Sequence, residues 1–318
     1  MLKVLILGSA AGGGSPQWNC NSSVSKKVRD RLPGTSPRTQ SSIAVTSNDE
    51  DWVLFNASPD LGSQILNNKQ MHPKRDLRHS PIKGVVLTNG DVDHVAGLLS
   101  LRERQNLSVY AHKRVHSVLK ENSIFNVLNP DYVDRRNLEM NKKFEVKSKE
   151  GKDLNIEIEA FEVPGKIALW LEDESKGANF GTEEGDTIGL KIFSSQNNKS
   201  FFYIPACAKM TADLAERLKD SDVVLFDGTL WENEEMATSK VGEKTGQRMG
   251  HMNNSGKDGS IQAFKDLGVK RKIFIHINTT NPILLEDSKE RKIVEENGWE
   301  VSYDGMEIEI CRVLLKKN

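Results

Sequence analysis

Cysteine, net charge and long apolar runs are what this sequence has least of. Its three cysteines, Cys20, Cys207 and Cys311, are odd in number and widely spaced, which argues against a disulfide framework. A formal net charge of −1 gives the chain no overall field that would attract nucleic acid or an anionic membrane. No apolar run approaches the roughly 20 residues of a membrane-spanning helix. We therefore expect a cytoplasmic protein that binds neither nucleic acid nor membrane.

The N-terminus, MLKVLILGSAAGGGS, predicts a first strand that runs into a glycine-rich turn. Its apolar core of about 6 residues is shorter than the 7–15 residues usual in a signal peptide. Gly8 and the glycines at 12–14 lack the G-x-G-x-x-G spacing, and no helical pattern follows them. A dinucleotide site is therefore not predicted here.

Short β-branched or aromatic segments bounded by turn residues predict strands along most of the chain. They cover residues 3–7, 41–46, 52–57, 84–88, 107–112, 156–163, 187–194, 200–206, 222–228, 272–277 and 300–310. Helical spacing predicts helices at 61–68, 95–105, 113–123, 210–221, 260–268 and 288–298. This order predicts one αββα sandwich, 1–318, of two mixed β-sheets with outer helices. The polar stretch 124–154 is expected to be an excursion from the core.

Two potential metal ligands follow a predicted buried strand in LTNGDVDHVAGL, residues 87–98. Neighbouring side chains on a strand point to opposite faces. Asp93 and His94 can therefore reach one metal ion only from a loop or a helix start. The alternative is that Asp93 caps the following helix and His94 lies at the surface.

Three further residues lie where a site could form. His276 belongs to the apolar strand KIFIHI, and polar residues at 278–281 follow it; a buried core histidine is the alternative. Asp227 ends the strand of DVVLFDGTLW, as a turn-forming residue or as a carboxylate directed at a metal. His251 lies in the polar, glycine-containing loop KTGQRMGHMNNSG and is a candidate acid–base residue, with a solvated loop as the alternative.

The segments that carry Asp93 and His94, Asp227, His251 and His276 follow one another in an order that resembles the metallo-β-lactamase fold superfamily. That superfamily carries H-x-H-x-D-H after a strand, then a further His, a bridging Asp at a strand end and a final strand-end His. Here the first motif reads NGDVDH, and the second His is missing from the segment near 162–166. The resemblance implies that one metal position has lost its ligands. The ligands of the other position would be Asp93, His94, Asp227 and His276.

Longer segments are similar to the PqqB family, whose proteins act in biosynthesis of the cofactor pyrroloquinoline quinone (PQQ). They span nearly the whole chain in the same order: GSAAGGGSPQWNCN, RTQSSIAV, NASPD, LLSLRE, DGTLWENEEM, TGQRMGH, IHINTTNPIL and DGMEIEI. The family commonly continues WNCNC-x-x-C, which looks like ligands for a structural zinc. Here only Cys20 of these cysteines remains. We expect no structural zinc, because neutral serine hydroxyls are poor substitutes for thiolates.

The PqqB resemblance implies a hydroxylase that uses Fe²⁺ and O2 on the tyrosine ring of a Glu-Tyr dipeptide derived from a precursor peptide. Two histidines and a carboxylate with open positions are the ligand set of non-haem Fe(II) oxygenases, and His94, His276 and Asp93 supply it. Zn²⁺ binds such sites more tightly than Fe²⁺, so a purified sample could hold Zn²⁺. Asp227 would be a fourth ligand or a partner of a metal-bound water, and His251 an acid–base group or a partner of the phenol.

Substrate contacts are expected from polar residues of the matching motifs and of the lost metal position. These residues are Arg38, Gln40, Asn89, Asp91, Lys166, Arg248 and Asn278. Among them, an arginine offers a two-pronged match to a carboxylate.

Two other functions remain open. A single Zn²⁺ in the same ligands could generate hydroxide and hydrolyse a phosphodiester or an amide, without O2. A non-catalytic binding or carrier protein is the second alternative, and the retained ligand set argues against it. The oligomeric state is left open, with a homodimer as one candidate.

Overall fold

The computed structural model describes residues 2–177, 180–196 and 199–310; Cys311 lies outside this range. Fourteen strands in the described chain form two seven-stranded sheets. In spatial order, the first sheet contains β14 (Glu307–Ile310), β1 (Leu2–Gly8), β2 (Ser42–Thr46), β3 (Trp52–Phe55), β4 (Ile82–Val86), β5 (Leu107–His112) and β6 (Val133–Leu138). The second contains β13 (Trp299–Val301), β12 (Arg271–Ile275), β11 (Val223–Asp227), β10 (Ser200–Ile204), β9 (Ile188–Ser194), β8 (Asp153–Glu162) and β7 (Lys143–Lys147).

The α-helices of the described chain are short. They are α1 (Ser23–Arg29), α2 (Leu61–Asn67), α3 (Val92–Val95), α4 (Lys113–Glu121), α5 (Ala212–Leu218), α6 (Glu235–Thr238), α7 (Gly246–Met249), α8 (Ser260–Ala263) and α9 (Lys289–Glu296). Six 3₁₀ turns accompany them at Lys69–Met71, Ala96–Leu101, Ser123–Val127, Leu169–Leu171, Glu174–Lys176 and Pro282–Leu284. None of the helices in the described residues is both long and apolar enough to cross a membrane.

Each sheet is apolar on both faces, which produces three layers of core. On β11, Val223 and Leu225 pack between the sheets, whereas Val224 and Phe226 pack outward. The outward face of the second sheet is covered by α1, α5, α8 and α9, and that of the first sheet by α2 and α4. This alternation is the period of two expected for a strand buried on both sides. The predicted αββα sandwich is confirmed.

The stretch 124–154 differs from its expected role as an excursion. It supplies β6 and β7, the edge strands of the two sheets, and Val146 and Leu138 lie in the core between them. These strands read as polar, VDRRNL and KFEVK, because an edge strand exposes much of its surface to solvent. The segment 300–310, expected as one strand, divides into β13 and β14, which belong to different sheets.

The predicted site residues follow strands whose carboxyl ends lie at one edge of each sheet. Strands β3 to β6 run parallel to one another, and so do β10 to β13. On parallel neighbours, the carboxyl ends meet at the same edge. The register of β11 and β12 pairs Asp227 with Ile275, so Asp227 and His276 emerge side by side. From the other sheet, the loop after β4 carries α3 with Asp93 and His94.

Candidate metal centre

A cavity of about 400 Å³ opens where the carboxyl ends of the two sheets meet. Its wall combines the loop after β1, the α3 segment, the segment 165–169 and the loops after β11 and β12. The residues of the wall that the sequence had singled out are Asn89, Asp91, Asp93, His94, Lys166, His251, His276 and Asn278. The structure therefore brings together residues that are far apart in the chain, from Asn89 to Asn278.

His94 presents a free nitrogen inside this cavity. Its Nδ1 lies 2.7 Å from Asn89 Oδ1, and the same oxygen accepts the N–H of Asp91 at 3.0 Å. Because an amide oxygen only accepts, the proton of His94 is assigned to Nδ1 and the lone pair to Nε2. That Nε2 is buried and has no hydrogen-bond partner in the described chain. Burial lowers the pKa of His94 to about 4, so the ring is neutral at pH 7 and able to act as a ligand.

Asp93 is the carboxylate closest to both histidines. Its Oδ2 lies 3.1 Å from His276 Nε2 and 3.8 Å from His94 Nε2. Burial alone would raise the pKa of Asp93, but the two histidines outweigh it and hold that pKa well below its usual range. Gly12, from the loop after β1, packs so closely that an added Cβ would lie 3.4 Å from Asp93 Oδ2.

His276 lies at the end of β12 in a left-handed backbone conformation, with φ at 60°. Such a φ is uncommon for a residue with a Cβ and turns the side chain out of the strand direction. Its Nδ1 lies 2.9 Å from Thr229 Oγ1, and its Nε2 donates to Asp93. Burial lowers the pKa of His276, but the hydrogen bond to Asp93 more than offsets this, and the pKa is raised. A proton therefore occupies the space between two potential ligand atoms, where a cation could replace it.

Asp227 is fully buried and already holds four hydrogen bonds. Its Oδ1 accepts from the N–H and the hydroxyl of Thr229, at 3.0 and 2.6 Å. Its Oδ2 accepts from Cys207 N at 2.9 Å and from His251 Nδ1 at 2.7 Å. In this arrangement Asp227 orients His251. Its expected role as a fourth ligand or as a partner of a metal-bound water stays a prediction.

Among the described residues, two groups of three His or Asp side chains have ligand atoms within 4.8 Å of one another: Asp93 with His94 and His276, and Asp227 with His251 and His276. The second group is closed by its own hydrogen bonds. The first contains an unpartnered buried imidazole nitrogen and a carboxylate–imidazole pair that shares a proton. Two imidazoles and one carboxylate form an N/O donor set suited to Fe²⁺ or Zn²⁺. We therefore assign the candidate metal site to Asp93, His94 and His276.

The expected substrate residues divide into two groups. Asn89, Asp91, Lys166 and Asn278 line the cavity. Asn89 and Asp91 are also engaged structurally, since Asn89 orients His94 and Asp91 Oδ1 accepts from Leu169 N at 3.0 Å.

Arg38, Gln40 and Arg248 are not placed in the cavity wall by the described structure. The buried Arg38 donates to the carbonyl of Ser302, which ties the N-terminal loop to the segment after β13. Gln40 binds Asp60 through its amide nitrogen at 3.0 Å and accepts from Gly13 N at 2.9 Å. Both side chains bind groups that hold the glycine-rich loop and the segments beside it. Their expected role in binding substrate stays a prediction.

Arg248 is held by an acidic side chain. Its guanidinium makes two hydrogen bonds to Glu172, at 3.0 and 2.7 Å, and Lys166 donates to the same carboxylate at 2.8 Å. The two-pronged match expected with a substrate carboxylate is made within the protein. The expected contact of Arg248 with substrate stays a prediction.

Cys20 belongs to a hydrogen-bonded group of small polar side chains. Its Sγ lies 3.3 Å from Ser22 Oγ, which accepts from Ser25 N at 3.3 Å. Ser25 Oγ lies 2.6 Å from Thr279 Oγ1. This group joins the start of α1 to the polar segment after His276. The expected absence of a structural zinc stays a prediction.

Thr229 is the functional residue that sequence reasoning missed. Its hydroxyl lies within 3.1 Å of Asp227 Oδ1, His251 Nδ1 and His276 Nδ1. A threonine two residues after a strand-end aspartate is a common turn pattern, and that pattern was the only signal available in the sequence. Lys244 also lines the cavity and was not singled out.

Comparison with known proteins agrees with this geometry. Residues 51–277 match the family model described as the beta-lactamase superfamily domain. Coenzyme PQQ synthesis protein B of Xanthomonas oryzae pv. oryzae is 47% identical over 307 residues, which cover 96% of this chain and 99% of that protein. The protein of the same name from Methylorubrum extorquens is 47% identical over 309 residues, with 97% and 100% coverage. This chain belongs to the PqqB family.

Solved structures agree with the family of this chain and with its fold. The crystal structure of Zn²⁺-bound PqqB from Methylobacterium extorquens matches with a TM-score of 0.91 at 47% identity, covering 96% of this chain and 99% of that one. A diphosphatase of the PhnP family matches with a TM-score of 0.66 at 18% identity, covering 97% and 98%, which shows a shared fold alone. The match of residues 51–277 to the beta-lactamase superfamily domain places this PqqB-family chain within the metallo-β-lactamase superfamily.

Proposed function

We propose that this protein acts in PQQ biosynthesis as a one-metal hydroxylase. Its substrate would be the tyrosine ring of a Glu-Tyr dipeptide derived from a precursor peptide, and its co-substrate O2. The observation that carries the proposal is the open set of Asp93, His94 and His276 inside a cavity. Two histidines and one carboxylate with vacant positions are typical of non-haem Fe(II) oxygenases.

The chain's own residues would prepare this chemistry. Asp93, His94 and His276 would hold Fe²⁺, which when bound supplies the means to react with O2. Asn89 and Thr229 keep the two histidine rings in place through their Nδ1 atoms. Such outer contacts fix both the tautomer and the orientation of a ligating ring.

His251 is placed to handle the phenol proton. Its Nδ1–H donates to Asp227, which leaves Nε2 as the remaining acceptor of a ring that lines the cavity. A buried carboxylate behind an imidazole stabilises the protonated ring and therefore favours its use as a base. The apolar side chains of Leu169, Met236 and Met249 line the same cavity and offer a surface for an aromatic ring.

The test is single-turnover hydroxylation. The protein is loaded anaerobically with Fe²⁺, mixed with Glu-Tyr and a two-electron reductant, and exposed to O2. One oxygen atom enters a ring C–H bond and the other is reduced to water, so mass spectrometry should show the peptide gaining one oxygen per turnover. A second experiment with ¹⁸O2 identifies the source of that oxygen. Zn²⁺-loaded protein should give no gain.

Two variants complete the design. His94→Ala removes the unpartnered nitrogen and should abolish both metal retention and hydroxylation. His72→Ala removes a histidine that lies outside the described cavity wall, and should leave both unchanged. No oxygen gain from Fe²⁺-loaded wild-type protein would refute the hydroxylase proposal.

A zinc hydrolase is the second candidate. The observation that favours it is the description of a relative 47% identical to this chain as Zn²⁺-bound. A Zn²⁺ ion in the same three ligands could lower the pKa of a bound water and supply hydroxide for an amide or a phosphodiester. O2-independent cleavage by the Zn²⁺-loaded protein would move the assignment to this reaction.

A further inference from the structure

Two lysines line the cavity, among the described residues, and they differ in how they are neutralised. Lys166 donates to Glu172 at 2.8 Å, and the side chain of Glu172 is only 8% exposed. Lys244 is exposed and lines the cavity. Within the described part of the chain it makes no side-chain hydrogen bond or ion pair. Lys244 is therefore a cation at the cavity without a matching anion there.

The backbone beside Lys244 is firmly held although its side chain is free. Gly246 N donates to Asn233 O at 2.8 Å, and Gln247 N donates to Asn233 Oδ1 at 3.1 Å. The N–H of His251 donates to Gly246 O at 2.9 Å, which closes the loop. One anchored loop thus carries both Lys244 and His251, and both side chains line the cavity.

The charges of the rest of the wall favour Lys244, among its lysines, as the partner of an anionic group. Asp91 and Asp93 contribute two carboxylates, which repel a substrate carboxylate. Lys166 and Arg248 already share Glu172. Lys244 is the cavity cation, among the described residues, that has its three donors available.

We propose that Lys244 binds a carboxylate of the substrate and so determines specificity for acidic peptides. That the peptide is Glu-Tyr rests on the proposed function. That the substrate carries a carboxylate rests on the charges of the cavity wall. An ammonium group meeting a carboxylate in a partly enclosed cavity makes a charge-assisted hydrogen bond, which is stronger than a neutral one. It would hold the peptide by its acidic group while the ring lies against the apolar wall.

Binding is measured with Zn²⁺-loaded protein by calorimetry, so that no turnover is needed. Lys244→Ala should raise the Kd of Glu-Tyr by about 5- to 10-fold. Lys244→Glu, which reverses the charge, should weaken binding further. Lys257→Ala removes the same charge from an exposed position outside the described cavity wall, and it should leave Kd unchanged.

Two modified peptides identify the carboxylate. Gln-Tyr lacks the side-chain carboxylate and Glu-Tyr amide lacks the C-terminal one. The peptide whose Kd no longer responds to Lys244→Ala has lost the group that Lys244 binds. An unchanged Kd of Glu-Tyr in Lys244→Ala, an equal loss for both modified peptides, or no binding of Glu-Tyr to the wild-type protein would overturn the proposal. Normal binding without hydroxylation would refute the hydroxylase proposal and leave the role of Lys244 intact.

Discussion

Replacing Thr229 by valine tests how the candidate metal site is held in place. Valine has nearly the shape of threonine but exchanges the hydroxyl for a methyl group. The Nδ1 of His276 would lose its partner at 2.9 Å, and Asp227 Oδ1 would lose its closest donor, at 2.6 Å. Asp227 would keep three donors, from Thr229 N, Cys207 N and His251. The histidine would keep none at Nδ1, so it bears most of the damage.

The expected loss can be estimated from these contacts. Removing an outer partner of a ligating side chain typically costs about 10- to 100-fold in metal affinity, or about 1.4–2.7 kcal/mol. Folding stability should also fall, by about 1–3 kcal/mol, because the His276 ring nitrogen stays buried without a partner. Thr229→Ser keeps the hydroxyl and should retain most of both quantities.

Metal affinity is measured by competition with a chromophoric chelator, using Zn²⁺ and then Co²⁺. Thr187→Val is the matched control, since it also deletes a hydroxyl from the cavity wall but breaks only a bond to the Lys166 carbonyl, at 2.9 Å. Wild-type metal affinity in Thr229→Val would refute the role of the Thr229 hydroxyl in supporting His276. That role is also refuted if Thr187→Val loses affinity equally, or if the serine variant is as impaired as the valine variant.

Three further variants probe other parts of the molecule. Cys20→Ser should change the free energy of unfolding by less than about 1 kcal/mol, because a hydroxyl can replace the thiol beside Ser22. The variant should also keep the metal content of wild type, and a fall in metal content would contradict the expected absence of a structural zinc. The hydrogen bond from Arg248 lowers the pKa of Glu172 from 4.5 to about 2, so its contribution to stability is present above pH 4.5 and lost as pH falls towards 2. The Tm difference between wild type and Glu172→Gln should shrink over that range, and a constant difference would show that this ion pair is not formed. Burial raises the pKa of Glu235 from 4.5 to about 7, so stability is lost as pH rises from 4.5 through 7. Glu235→Gln should gain Tm relative to wild type over that interval, and parallel pH profiles would contradict the assignment.

The sandwich could be predicted because its strands carry their signal in local sequence. Strands such as β11 are apolar on both faces, and short segments of that kind recur along the chain. The strands β6 and β7 gave no such signal, since edge strands exchange apolar residues for charged ones. Helix α1 was missed because only Val24 and Val28 mark its buried face, in seven residues otherwise rich in serine and lysine.

The candidate site could be predicted only as far as residue type reveals function. Histidine and aspartate that follow buried strands are unusual enough to stand out, and His94 and His276 were proposed as ligands on that basis. Thr229 could not be found, because a hydroxyl has no distinctive signal and its role depends on the register that brings β11 beside β12. The intramolecular partners of Arg38 and Arg248 could not be predicted either, because a sequence does not show that a guanidinium lies beside the carbonyl of Ser302 or the carboxylate of Glu172.

The residues that replace the lost metal position now support the retained one. Asn89 stands where the superfamily motif has its first histidine, and its side-chain oxygen holds His94 Nδ1 at 2.7 Å. Asp91 stands at the second, where its N–H fixes Asn89 and its carboxylate anchors Leu169. An amide oxygen at position 89 forces the lone pair of His94 onto Nε2, whereas a histidine there would compete for metal. In the proposed one-metal site, hydrogen-bonding side chains at positions 89 and 91 would therefore support the remaining ligands instead of binding a second metal ion.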